Sequence, residues 1–252
     1  MSEIKWSNIL SFIHARDPSY WHRVQGVTRA EIARCEDAIG VALPKIYVEF
    51  LKAVGIECSG FSPFGSMKVF DYYSIVERMP AHVPANARYF RIALDDDASV
   101  VEHYDVFLDL LRSDGDDAPI VSAPASDDIC ETDVIEHGFT LGEALTRAVV
   151  LHFDISHRSD MTILTICPDS HVHMETYKKP LLDLMAKMRV NELWPASYRV
   201  ACFRNEATSV LIEYSAEPLI ITCTVGATSH RSLRLIVEQI QDQFDDVMEE
   251  ED

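Results

Sequence analysis

The sequence predicts an α+β fold in two domains, residues 1–152 and a smaller C-terminal α+β domain over residues 160–252. Three observations predict it. Capped helical stripes come first in the chain, and short β-type runs follow them, the order of a fold that segregates helices from sheet. A turn-rich segment, Asp154-Ile-Ser-His-Arg-Ser-Asp160, interrupts the pattern past the middle. Beyond it a fresh strand-and-helix pattern begins and closes on an amphipathic helix.

The first helix is expected over residues 3–15, with Trp6, Ile9, Leu10 and Ile13 on one face. Asp17-Pro18 ends it, because the residue before proline is pushed out of helical geometry. Thr28-Arg-Ala-Glu31 is a capping box, in which the Thr hydroxyl satisfies an orphan amide and the Glu reaches back. Ile32, Cys35 and Ile39 follow at helical spacing up to Gly40, which suits a helix stop. Leu43-Pro44 opens the next helix, since proline is tolerated at the first helical position. Its stripe is Tyr47, Phe50, Leu51 and Val54, closed by Gly55.

Periodicity then shortens. Residues 67–70, 89–93, 106–110 and 120–122 read as strands of one sheet, although Val100 to Leu111 also fits a helix. Ser113-Asp-Gly-Asp-Asp117 is turn chemistry. Thr140-Leu-Gly-Glu143 is a second capping box, opening a helix that carries Leu141, Leu145, Val149 and Val150. In the second domain, strands are expected over 161–167, 199–203, 209–214 and 219–225. Helices are expected over 179–189 and 229–247, the last with Leu233, Ile236, Ile240 and Phe244 as its stripe. The end of the chain, Asp245-Asp-Val-Met-Glu-Glu-Glu-Asp252, reads as a solvated, frayed tail.

Composition is that of a globular protein, 48% hydrophobic and 25% charged, and 252 residues bury enough surface to need no disulfide or structural metal. Charge is the unusual quantity. Lys and Arg total 22 against 41 Asp and Glu, a net charge of −19. Such a chain is repelled by phosphate backbones and anionic lipid, so neither nucleic acid nor membrane is an expected partner. The excess is concentrated: residues 95–143 hold 15 acids and one base, Arg112. A solvated face is one reading of this block. The other is a docking surface for a basic protein, formed by Asp95, Asp96, Asp97, Glu102, Asp105, Asp114, Asp116, Asp117, Asp127 and Asp128. Exposed aromatics beside it, from Tyr72-Tyr73, Tyr89-Phe90 and His103-Tyr104, would be interface anchors.

The six cysteines are well separated and form no C-x-x-C pair, so they read as reduced core residues. No basic-then-apolar leader opens the chain, and no window approaches about 18 apolar residues. A cytoplasmic location is therefore expected. Catalytic motifs are sought without success: there is no H-E-x-x-H, no G-x-S-x-G, no phosphate loop and no G-x-G-x-x-G. Asp95-Asp-Asp97 with Glu102, His103 and Asp105 lacks the spacing and glycine of a calcium loop. His171-Val-His173 with Glu175 lacks a partner pattern for zinc. No enzyme activity, metal or cofactor is expected.

Residues Val27 to Gly55 resemble the signature of the SUKH superfamily. The matching residues are Glu36-Asp-Ala-Ile-Gly40 followed by Leu43-Pro44-Lys-Ile-Tyr47-Val-Glu-Phe50-Leu51. At the turn, Ala53-Val54-Gly55 replaces the family's Asn-Gly-Gly. Downstream, Pro119-Ile-Val121 and Phe139-Thr-Leu-Gly-Glu-Ala-Leu145 also look like the family's strand and closing helix, so the resemblance covers roughly residues 20–152. It implies a SUKH-like sheet flanked by helices, a binding fold without a shared catalytic constellation. It further implies two branches of function. One is an immunity protein that neutralises a cognate toxin, often a nuclease and therefore basic; the other is a regulatory or scaffold protein with several partners. A homodimer is compatible with either.

Overall fold

A computed structural model of the protein describes residues 5–64, 68–77, 88–97, 99, 102–125, 129–168, 174–194, 196–216, 219–244 and 246–249. The chain divides between Ala148 and Val149 into two units. The fold is mixed α+β, as the sequence predicts. The division falls a few residues before the expected Asp154–Asp160 segment.

In the first unit, helices α1 (Trp6–Arg16), α2 (Arg29–Ile39) and α3 (Lys45–Val54) precede β1 (Lys68–Val69) and α4 (Tyr72–Glu77). Strands β2 (Tyr89–Asp95), β3 (Tyr104–Asp109), β4 (Pro119–Pro124) and β5 (Ile135–Thr140) follow, and α5 (Leu141–Phe153) runs through the division. The capping box of α2 is formed: Thr28 Oγ1 accepts the Glu31 N–H at 3.3 Å and Glu31 Oε2 accepts the Thr28 N–H at 3.0 Å. Gly40, at φ 70°, supplies the left-handed stop that a side chain with a Cβ resists. Between the helices, Glu36 accepts the Leu43 N–H at 2.8 Å. Leu43, Tyr47, Phe50 and Leu51 are buried, so the motif they form is a packing motif.

The strands form an antiparallel meander in the order β1-β2-β3-β4-β5. Register shifts interrupt β2 between Arg91 and Ala93 and β4 between Pro119 and Val121; irregularities of this kind bend a sheet. Rings tie the sheet to the helices, with Tyr47 against Phe90 and Phe50 against Phe70, each 5.9 Å between centroids. Of the stretch that also fitted a helix, Tyr104–Asp109 is strand and Leu110–Arg112 a 3-10 turn, while residues 100 and 101 lie outside the described residues. Strand β5 is an addition to the expected set, and the second capping box follows it directly, Glu143 Oε2 accepting the Thr140 N–H at 2.9 Å.

The second unit holds β6 (Asp160–Ile166), α6 (Glu175–Lys187), β7 (Asn191–Glu192), β8 (Val200–Arg204), β9 (Thr208–Ala216), β10 (Leu219–Ala227), α7 (His230–Gln243) and β11 (Val247–Glu249). Its antiparallel sheet runs β11-β6-β10-β9-β8-β7. Leu181 and Leu184 of α6 and Leu233, Ile236 and Ile240 of α7 pack on it in one apolar cluster. Asp154, buried, accepts from Arg158 at 3.1 Å, Arg204 at 3.0 Å and Ser209 at 2.7 Å, which pins the turn after α5 to β8 and β9. The acidic end departs from expectation. Helix α7 stops at Gln243, and Val247–Glu249 pairs with β6 instead of fraying, with Glu249 held by Arg234 at 3.2 Å. Asp245 and residues 250–252 lie outside the described residues. No helix is long and apolar enough to cross a membrane among the described residues.

Candidate functional site

The acid block takes its geometry from β3. In Tyr104-Asp105-Val106-Phe107-Leu108-Asp109 the two-residue strand period puts Asp105, Phe107 and Asp109 on one side and Val106 and Leu108 on the other. Both faces are covered. Asp105 is 3% exposed and Asp109 is 0% exposed. Buried carboxylates need partners, because desolvation of an unpaired charge costs far more than folding can spare. The partners come from β2 and its approach and from the turn just after β3. Arg91 pairs with Asp105 at 3.0 Å, and Asp105 also accepts the Asp95 N–H at 2.8 Å. Asp109 takes Arg88 at 2.9 Å and Arg112 at 2.8 Å. Burial pushes the Asp109 carboxyl up, but the two guanidiniums outweigh it and hold the group below the usual carboxylate range. Each arginine holds a second acid, Arg88 with Glu131 and Arg112 with Glu136, the latter at 3.0 Å.

Asp95, at the end of β2, pairs with Lys68 at 2.8 Å and accepts the N–H groups of Tyr104 and Asp97, each at 3.2 Å. Burial raises its carboxyl and these partners together bring it below the ordinary value. Asp97 accepts the N–H of Ser99 at 2.9 Å and its hydroxyl at 2.6 Å, which lowers its carboxyl too. Asp96 and Glu102 stand exposed beside them. The docking surface expected to include Asp95 and Asp105 is corrected here: strand alternation and local bases turn both carboxylates inward.

The turn between β3 and β4 is a separate structure with a different task. Asp114 Oδ1 accepts the N–H groups of Asp116 at 3.0 Å and Asp117 at 2.8 Å, closing the turn around Gly115 at φ 90°. The carbonyls of Gly115 and Asp116 accept the Lys45 and Ile46 N–H groups, each at 3.0 Å, and Asp116 meets the Lys45 ammonium at 3.5 Å. Asp117 accepts the N–H groups of Ala118 at 2.8 Å and Gly142 at 3.1 Å. One acidic turn therefore satisfies orphan amides at the starts of both α3 and α5, where negative charge also opposes the positive end of the helix dipole.

Burial pushes the Asp117 carboxyl above its ordinary value, with Glu143 adding to the rise and Thr140 and the backbone amides working against it. A raised folded value means that the folded state binds this proton more readily than the unfolded chain does. Stability from Asp117 therefore falls as pH rises through the window above the unfolded value of about 3.9. Asp117→Asn, which keeps an acceptor and cannot ionise, is expected to gain stability relative to the native chain between pH 4 and pH 7, as read by urea unfolding at both. A difference that runs the other way removes the assignment.

The ten expected residues thus do not make one surface. Asp95, Asp96, Asp97, Glu102 and Asp105 gather at the Tyr104 end of β3, and Asp114, Asp116 and Asp117 lie past its Asp109 end. Strand β3 from Tyr104 to Asp109 runs five residue steps, about 17 Å, between these two ends. Asp127 and Asp128 lie outside the described residues. So do His171 and His173. Of the aromatics, Tyr72 and Phe90 are buried, while Tyr73 is exposed with its hydroxyl on Glu31 at 2.8 Å. Among the described residues no group of three or more His, Cys, Asp or Glu is arranged to hold a metal ion. Sequence reasoning passed over Asp109 and Arg88, although the Asp-x-Phe-x-Asp alternation marks the first. Neither a comparison with protein-family models nor one with curated proteins finds a match to this chain.

Proposed function

We propose that the protein is a non-catalytic binder of a basic protein, in the manner of a cytoplasmic immunity protein that neutralises a cationic toxin such as a nuclease. The observation that carries this is the charge left over once the internal pairs are made. The chain has a net charge of −19, and Asp96 and Glu102 remain exposed at the Tyr104 end of the sheet after Lys68 and Arg91 have been matched. The Lys68–Asp95 and Arg91–Asp105 pairs lie beside these exposed carboxylates and do not neutralise them. A field of this sign speeds encounter with a cationic partner and repels anionic ones. The free cysteines, of which Cys35, Cys202 and Cys223 are buried, suit a reducing compartment.

The test is co-expression with the product of the adjacent gene, followed by association kinetics of the purified pair. Rescue of growth and a salt-sensitive complex are expected. Asp96→Lys with Glu102→Lys should slow association at least about tenfold at low salt with the fold intact. Association at the native rate, with native salt dependence, would count against this surface as the docking site.

A further inference from the structure

We propose that β11 is a docking edge, to which an extended polypeptide segment, apolar at its middle and basic at its flanks, adds as a further strand of the second sheet. β11 ends that sheet, paired with β6 on one side and, among the described residues, with no strand on the other. Opposed residues of an antiparallel pair alternate between exchanging hydrogen bonds and turning those groups outward. The phase is set by the Asp246 carbonyl, which accepts the Cys167 N–H at 3.4 Å. Met248, two residues on and opposite Thr165, therefore turns its backbone groups toward β6. The N–H and C=O groups of Val247 and Glu249 face the open edge. Such a row of backbone donors and acceptors is a template for one more strand.

Side chains alternate between the two faces. Val247 packs against the apolar cluster under α6 and α7, whereas Met248 stands on the opposite face and is 56% exposed. On that face β6 adds Thr165 and Ile163, both partly exposed, and farther along Met161, 44% exposed. Every second side chain of an added strand would lie beside Met248, and methionine adapts to apolar groups of many shapes. Charge selects the occupant. From His230 to Asp252 the sequence carries eight carboxylates against Arg231 and Arg234. Arg234 is matched to Glu249 at 3.2 Å, while Asp246 is exposed and makes no ion pair among the described residues. A second copy would bring the same eight carboxylates to the same edge and be repelled. Acids that keep β11 from pairing with itself thus admit a strand of the opposite sign. The other sheet ends offer less, since β1 and β7 are two residues long and β5 is interrupted by Gly138 at φ 73°.

This edge belongs to the second unit and uses neither Asp96 nor Glu102, so it stands apart from the docking surface proposed above. The probe is the peptide acetyl-Lys-Lys-Val-Thr-Val-Lys-Lys-amide, added to the full chain at 50 mM NaCl and followed by hydrogen exchange. The Val247 and Glu249 amides should slow at least about tenfold, while Val106 to Leu108 in the first sheet stay unchanged. The same peptide with its three central amides N-methylated keeps its charge and loses its strand edges, and should bind at least about tenfold more weakly. Equal binding by the methylated peptide would mean that charge alone holds it, which overturns strand addition. Equal protection by acetyl-Glu-Glu-Val-Thr-Val-Glu-Glu-amide overturns the choice of a basic occupant. Protection that appears without peptide as protein concentration rises identifies a second copy instead and overturns it as well. Native protection in the Asp96→Lys, Glu102→Lys variant is expected, and its loss would place the peptide on the first unit.

Discussion

Asp109→Ala is expected to lower the stability of the first unit by about 3 kcal/mol, toward the lower end of what removing one partner of a buried charge pair costs. The carboxylate is 0% exposed and takes three donors, Nε and Nη2 of Arg88 and Nε of Arg112. Without it, two guanidiniums converge on an empty site. They are not fully buried, which is why the loss stays below the upper end: each turns toward water and keeps its other acid, Glu131 or Glu136. The effect carries a pH signature. The Asp109 carboxyl lies below its ordinary value in the fold, so its contribution is present above the unfolded value of about 3.9 and is lost as pH falls through the lower, folded value. Urea unfolding of both proteins at pH 7 and near pH 3 should show the gap between them narrowing in acid. A gap under about 1 kcal/mol at pH 7 would mean that the network contributes as a surface pair does, and the account of why β3 alternates acid with apolar residues would fail.

How legible the fold is from the sequence depends on how local its causes are. The α2–α3 pair is readable because Thr28, Glu31, Gly40, Leu43 and Pro44 write their instructions within a few residues of where they act. The acid block is misread because charge counting along the chain assigns carboxylates to solvent, whereas their partners Lys45, Lys68, Arg88 and Arg91 all precede the block, Lys45 reaching it from the start of α3 and the others from β1, β2 and the approach to β2. A sequence shows 15 acids and one base in that window; the fold imports the missing bases. Strand β5 is hidden for another reason. Ile135 to His137 are exposed and Gly138 sits at φ 73°, so this edge strand lacks the apolar alternation by which strands are recognised. Strand β11 is only three residues long, and its place is decided by partners distant in sequence, β6 and Arg234 of α7. In α6, Pro180 suggests a helix start, yet the helix begins at Glu175 and carries the proline inside, because Leu181, Leu184 and Met185 bury against the second sheet.

Gly26→Ala is expected to cost about 3 kcal/mol or more, the upper range for forcing extra volume into a packed site. A Cβ at this position would lie 1.8 Å from the Lys52 carbonyl oxygen, 2.4 Å from its carbon and 3.1 Å from the Ala53 nitrogen. These are backbone atoms at the end of α3, so no side chain can swing aside. The approach is that close because residues 25–27 are threaded along the helix end. The Val27 N–H donates to the Leu51 carbonyl at 2.8 Å, and the Gln25 carbonyl accepts from Ile56 at 2.9 Å and Glu57 at 3.0 Å. The Leu51 carbonyl also takes the Gly55 N–H at 3.0 Å, so the incoming segment shares an acceptor of the last turn of α3. To admit a methyl group the segment must move away, and Val27 and Leu51, both buried, move with it. Gly60→Ala is the control. Gly60 is left-handed at φ 81° with no atom within 4 Å of a Cβ, so it pays only for backbone handedness, about 1 kcal/mol. Thermal or urea unfolding of the two variants separates close approach from backbone strain. If Gly26→Ala is no worse than Gly60→Ala, the chain does not pass so near the end of α3, and the seat of the α2–α3 helix pair has been misplaced.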